Sequence, residues 1–177
     1  MTKILGISGS LQARSTNSAL IRAAAELAPE GVDFDTFDRL GELPHFNPDI
    51  DGEGDAAPPA VGDFRARLGA ARGVLIACPE YAFGPPGVLK NALDWVVGSG
   101  ELSGKRVAVM GASPNHTGGL RAQLSLIPTI LVMDAIIVDT LIVPGARKKL
   151  DDQGRLVHAP TLARIEAMIR ALAGEKV

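Results

Sequence analysis

Short apolar runs that close in glycine, each followed by a stretch of helical spacing, constrain this chain more than any other feature. Lys3 to Ser8 (KILGIS) is such a run. It ends in Gly9-Ser10 and reads as a first strand. From Asn17 to Ala28, the residues Leu20, Ala23, Ala24 and Leu27 recur at helical spacing, with Ser15 or Thr16 as the cap. Val32 to Phe37 (VDFDTF) alternates apolar and polar residues, which predicts an edge strand with one face partly wet. Val61, Phe64, Leu68 and Ala71 form the stripe of a second helix, and Val74 to Cys78 a central strand. Gly87 to Val97 reads as a helix with Val88, Ala92, Leu93 and Val96 facing in. Arg106 to Met110 reads as a fourth strand, ending in Gly111-Ala112-Ser113. Leu120 to Leu131 is helical, but Pro128 should kink it or end its first part. Ala135 to Val143 is a fifth strand, and Leu162, Ile165, Ile169 and Leu172 stripe a last helix.

Strands that alternate with helices need crossover connections, and so a parallel sheet. Most of the strand runs are continuously apolar, as burial on both faces demands. The expectation is an α/β three-layer sandwich. The pattern lapses between Leu43 and Pro59, where Pro44, Pro48, Pro58 and Pro59 accompany Asp49, Asp51, Glu53 and Asp55. This reads as a mobile loop. Only about 40 residues precede it, too few for a core of their own, so residues 1–177 are expected to form one domain.

Charge and cysteine usage exclude several classes. A net charge of -2 gives no support to a nucleic-acid or anionic-membrane surface. Cys78 is the only cysteine, so there is neither an intramolecular disulfide nor a cysteine-rich metal site. Its neighbours Leu75, Ile76 and Ala77 make it a packing residue at a buried strand end. MTKILGISGS is too short and glycine-rich for a signal sequence, and the longest apolar run, Ile127 to Val138, contains Pro128 and Asp134. A cytoplasmic location is expected.

In open parallel sheets, ligands bind beyond the carboxyl ends of the strands. Three loops there carry chemistry. Gly9 to Asn17 (GSLQARSTN) opens a helix, offering neutral donors at Ser10, Gln12, Ser15 and Asn17 and a cation at Arg14. That combination suits a phosphate, or else forms a polar turn and cap without a ligand. The loop has neither the lysine-bearing pattern of nucleoside triphosphatases nor the triple-glycine pattern of dinucleotide sites. Pro79 to Gly87 (PEYAFGPPG) sets Tyr81 and Phe83 in a proline-stiffened loop, able to lie along a planar ring or to serve packing and oligomer contacts. Gly111 to Gly119 (GASPNHTGG) allows close approach and a donor at Ser113. His116 has no visible carboxylate partner and reads as a surface residue.

Taken together, the three loops resemble those of the NADPH-dependent FMN reductase family, which includes quinone and chromate reductases and some azoreductases. Gly9, Ser10, Leu11, Ser15 and Asn17 match the family's first loop, PEYAFGPPGVLKNALDW (Pro79 to Trp95) its second, and GASPNHTGGLRAQ (Gly111 to Gln123) its third. DDQGRL (Asp151 to Leu156) is a weaker echo. The resemblance implies a flavodoxin-like sandwich with a five-stranded parallel sheet of order 2-1-3-4-5. It implies that Ser10, Gln12, Ser15 and Asn17, with Arg14 and Thr16 beside them, hold the FMN phosphate. Pro79, Glu80, Tyr81, Ala82, Phe83 and Gly84 would border the flavin ring, largely through backbone, and Ser113 would approach from the other side. Lys90, Asn91, Asp94 and Trp95 would be structural or at a subunit interface.

The implied activity is hydride transfer from NADPH or NADH to bound FMN. Electrons then pass to a quinone, flavin, azo dye or metal-ion acceptor in a ping-pong cycle. No catalytic side chain and no resident metal are needed, because the flavin carries the redox chemistry. Family members are usually homodimers or homotetramers. An electron-transfer flavodoxin or a flavin-sensing protein without nicotinamide turnover would use the same cofactor loops. The chain departs from the family pattern at Gln12 (often Arg), Ala82 (commonly Asn), Phe83 (often smaller or polar) and Pro85 (usually nonpolar and not proline). Gln12 removes a charge-assisted contact worth about 1.5–3 kcal/mol, which favours loose FMN binding.

Overall fold

The computed structural model describes residues 1–52 and 57–175. Its main elements are β1 (Thr2–Ser8), α1 (Thr16–Glu26), β2 (Val32–Phe37), α2 (Pro59–Ala70), β3 (Gly73–Ala77), α3 (Gly87–Val97), β4 (Arg106–Ala112), α4 (Leu120–Leu131), β5 (Ile136–Val143) and α5 (Ala159–Ala173). All five strands pair in parallel, in the order β2-β1-β3-β4-β5.

Successive side chains of a strand point to opposite faces, and this sorts the apolar residues into two cores. Leu5, Ile7, Val74, Ile76, Val107 and Val109 face one core with α2, α3 and α4. Ile4, Leu75, Ala77, Ala108 and Met110 face the other with α1 and α5. The central strands are therefore apolar along Ile4–Ile7, Gly73–Ala77 and Val107–Ala112, while the edge strand β2 keeps Asp33 and Thr36 exposed. The β4–β5 ladder slips between Val107 and Ala108, so that Ala108 pairs with Asp139 and Val138 is skipped. With β2 and β3 flanking β1, the carboxyl ends of β1 and β3 open as a crevice at the point where the winding reverses.

Two expectations need refinement. Helix α4 covers Leu120–Leu131 as its spacing predicts, so Pro128 does not end its first part. The proline removes a bond only to the carbonyl of Leu124, and both residues lie on the exposed side of the helix. The segment after Leu43 is not wholly loose. The Trp95 indole and the Asn91 amide both donate to the Pro44 carbonyl, at 2.8 and 2.9 Å, and Asn91 accepts the Phe46 amide at 2.8 Å. Phe46 meets the Trp95 ring edge-on. Asp51 pairs with Arg65 at 2.6 Å, while residues 53–56, the middle of the acidic stretch, lie outside the described residues. On α3, Leu89 and the fully buried Trp95 join Ala92, Leu93 and Val96 on the inward face, and the partly buried Val88 packs against the same core. No described helix is long and apolar enough to cross a membrane.

Cys78, just past β3, is fully buried, and burial followed by the nearby Glu80 charge pushes its thiol from 9.0 up to about 12. A pKa raised in the folded state stabilises the fold below the unfolded value and loses that contribution as pH rises through the folded one. The fold is therefore expected to weaken between pH 9.0 and about 12. Chemical denaturation across that window checks this, and Cys78→Ala should show a flatter profile.

Candidate functional site

The crevice at the carboxyl end of the sheet is built mainly by backbone ties between loops. Gly9 donates to the Ala77 carbonyl at 2.8 Å and Cys78 to the Met110 carbonyl at 2.7 Å, which ladders the starts of the first two loops to their neighbours. The third loop is tied to the chain after β5: Ser113 donates to Val143, Ala146 to Ser113 and Gly145 to Asn115. Small residues make this possible. A Cβ at Gly111 would stand 2.9 Å from the Cys78 carbonyl oxygen, and one at Gly118 would collide with the Ile142 side chain at a φ of +60°.

Helix α1 begins in this crevice. The Ser15 side chain caps it, accepting from the amides of Asn17 at 3.2 Å and Ser18 at 3.3 Å. Asn17 is only 3 % exposed. Its side-chain amide donates to the Ala112 carbonyl at 3.0 Å, and its side-chain oxygen accepts the Ala112 amide at 2.9 Å. Asn17, read in sequence as a donor to a phosphate, thus uses one of its two amide hydrogens to lock α1 to the end of β4 while still lining the crevice. Ser10 is also buried, with its hydroxyl 3.4 Å from that of Tyr81 and accepting the Gln12 amide at 3.3 Å.

A cavity of about 140 Å³ results, lined by Gln12, Arg14, Ser15, Thr16, Asn17, Pro79, Glu80, Tyr81 and Ser113, with Ala112, Pro114 and Arg147. Nine of the sequence-predicted residues thus meet around one space, and Ser10 stands behind Tyr81. Ala82, Phe83 and Gly84 do not line it. Tyr81 and Gly84 exchange both backbone hydrogen bonds at 3.0 Å, closing a two-residue turn whose central residues Ala82 and Phe83 have φ of 49° and 64°. The turn carries Phe83 outward, 69 % exposed, with the Arg121 guanidinium 4.2 Å from its ring centroid.

Electrostatically the cavity favours an anion. Arg14 and Arg147 line it, and its one carboxylate, Glu80, is committed to the backbone amide of Arg121 at 3.0 Å and its guanidinium at 3.6 Å. In sequence, Arg147 is one of three arginines, with Arg14 and Arg121, that could meet a nicotinamide 2'-phosphate, and it is not among the residues expected at the FMN phosphate. It follows β5, and only the ties from Gly145 and Ala146 to the third loop bring it here, so no local signal marks it. His116 is exposed, and among the described residues no three His, Cys, Asp or Glu side chains cluster as metal ligands would.

Comparison with known proteins agrees with this geometry. Residues 2–148 match the family model described as NADPH-dependent FMN reductase. An NAD(P)H-dependent FMN reductase of Pseudomonas aeruginosa is 38 % identical over 174 residues, covering 96 % of this chain and 92 % of the relative. A 2-hydroxy-1,4-benzoquinone reductase of a Burkholderia species is 34 % identical over 164 residues, covering 90 % and 87 %. Among solved structures, the flavoenzyme NAD(P)H:(acceptor) oxidoreductase FerB of Paracoccus denitrificans superposes with a TM-score of 0.80 at 26 % identity, covering 98 % of this chain and 96 % of that one.

The positive φ at Ala82 costs about 1 kcal/mol for a residue with no side-chain oxygen to compensate. Ala82→Asn is expected to raise the thermal midpoint by about 2–4 °C, measured by circular dichroism.

Proposed function

The chain belongs to the NADPH-dependent FMN reductase family, and from that membership we propose that it is a one-domain, cytoplasmic NAD(P)H-dependent FMN reductase passing electrons to a quinone, a flavin or another small acceptor. The observation that carries this reading is the meeting of the three loops around one cationic cavity at the carboxyl ends of β1, β3 and β4.

The cavity's donors suit FMN. The α1 start, the Arg14 and Arg147 guanidinia and the hydroxyls of Ser15 and Thr16 form the donor set a phosphate needs. Pro79 and Tyr81 supply a stiff wall for a planar ring, and Ala112 to Pro114 a close-fitting one opposite. When bound, FMN supplies the two-electron chemistry itself. The side chains position and charge-match it. Ser15 and Asn17 fix the α1 terminus, Ser10 holds the Tyr81 hydroxyl, and Glu80 fastens the second loop to α4. None has to act as nucleophile or general base. Donor and acceptor take the same place in turn, which makes the cycle ping-pong. Azo dyes and oxidised metal ions fall within the acceptor range. Dependence on reduced nicotinamide supports a cytoplasmic location.

We also propose a homodimer or homotetramer. Leu124 (63 % exposed) and Val132 (75 % exposed), with Leu131 on α4 and Ile136 and Ile142 on the edge strand β5, support an oligomer contact there.

Two measurements test the reading. Initial velocities with varied NADPH and a soluble quinone are expected to give parallel double-reciprocal lines, and intersecting lines would contradict the shared site. Arg14→Gln should weaken FMN binding by about tenfold to a hundredfold, the loss of one charge-assisted contact, as read by quenching of FMN fluorescence.

A further inference from the structure

A second cavity, about 360 Å³, adjoins the flavin site. Arg14, Ser15, Thr16 and Arg147 line both. The larger one adds Arg22 and the turn around Asp151. Arg22 lies six residues into α1, about 9 Å along the axis from the first helical residue, so this lobe extends away from the helix start.

Its charge is strongly one-sided. Among the described residues, Arg14, Arg22 and Arg147 have no carboxylate partner, Glu26 one turn along α1 included. The one acid in the lining, Asp151, is already satisfied. It pairs with the Arg155 guanidinium at 2.8 Å and accepts the amides of Gln153 and Arg155 at 3.0 and 2.9 Å. Three arginines lining one concave space supply the kind of donors a phosphate site uses. The other arginine near the crevice, Arg121, is committed to Glu80 and stacked on Phe83.

We propose that the cavity bounded by Arg14, Arg22 and Arg147 is a second phosphate subsite, separate from that of the flavin, which takes a phosphomonoester. The proposal rests on the reductase reading for the ligand's source. A nicotinamide donor that reaches the flavin site brings its adenosine ribose, and the 2'-phosphate of that ribose is what distinguishes NADPH from NADH. Free phosphate offers the same chemistry from solution.

Arg22 tests this, because it lines the larger cavity and not the flavin site. The FMN-loaded protein is titrated calorimetrically with adenosine 2',5'-bisphosphate, with 5'-AMP and with inorganic phosphate. The bisphosphate is expected to bind at least about tenfold tighter than 5'-AMP. Arg22→Glu should erase that difference and raise the KM for NADPH by about tenfold or more, while Arg22→Lys retains most of it. The KM for NADH, the FMN affinity and the thermal midpoint should stay at wild-type values in both variants. If inorganic phosphate binds wild type and not Arg22→Glu while the NADPH kinetics are unchanged, the subsite stands and free phosphate is its source. Equal binding of every probe by wild type and Arg22→Glu overturns the proposal. So does a parallel loss of FMN affinity, which would make the two cavities one site. Failure of the wild-type holoenzyme to oxidise either nicotinamide would count against the reductase reading and leave the calorimetric test of the subsite intact.

Discussion

Burial of the sheet on both faces is the constraint from which the rest follows. Once β1, β3 and β4 are covered by α1 and α5 on one side and by α2, α3 and α4 on the other, their faces admit only apolar side chains. Polar chemistry is displaced to the strand ends. At the carboxyl end the reversal of winding between β1 and β3 leaves the loops splayed, and that is where the serines, arginines and the tyrosine gather. The Cys78 thiol, at the margin of the same region but inside the core, is held neutral by burial and takes no part.

What turns splayed loops into a site is a set of short ties. The reciprocal pair between Asn17 and the Ala112 backbone joins the α1 terminus to β4 across the crevice, and Ser15 fixes the first turn of the helix. Glu80, reaching the α4 start, holds the second loop, and the strained turn at Ala82 and Phe83 leaves Tyr81 facing the cavity while Phe83 points away. Most of these side chains act on the protein's own backbone. The positive charge lining the cavity comes instead from Arg14 and Arg147, both mounted on exposed positions.

The fold was legible because its signals are local. The glycine-closed apolar runs and helical stripes place all five strands and five helices within a few residues, and Val32–Phe37 and Gly87–Val97 coincide with their expected limits. The three site loops were legible for the same reason, each lying within a few residues of a strand end. What escaped depends on distant contacts. Pro128 reads as a kink or a break, and only the structure shows that it and Leu124, whose carbonyl loses its bond, both lie on the exposed side of a helix that continues to Leu131. Asn17 reads as a ligand donor, and nothing near it in sequence shows that its side chain also joins the Ala112 backbone far along the chain. Arg147 has no motif around it and joins the site only through the register of β5. The proline-rich loop looks loose in sequence, because Asn91 and Trp95, which anchor its start, come from a helix some 45 residues later.

The central claim is that the crevice at the ends of β1, β3 and β4 holds FMN in a form a nicotinamide can reduce. The direct test is the visible spectrum of the protein after incubation with FMN and desalting, recorded before and after anaerobic addition of NADPH. Flavin absorbance that stays with the protein and bleaches on NADPH is the expected result. Flavin that passes through the column with the buffer, with no saturable binding on titration, would contradict the assignment of the cavity. Flavin that is retained but bleached by neither NADPH nor NADH would contradict the reductase.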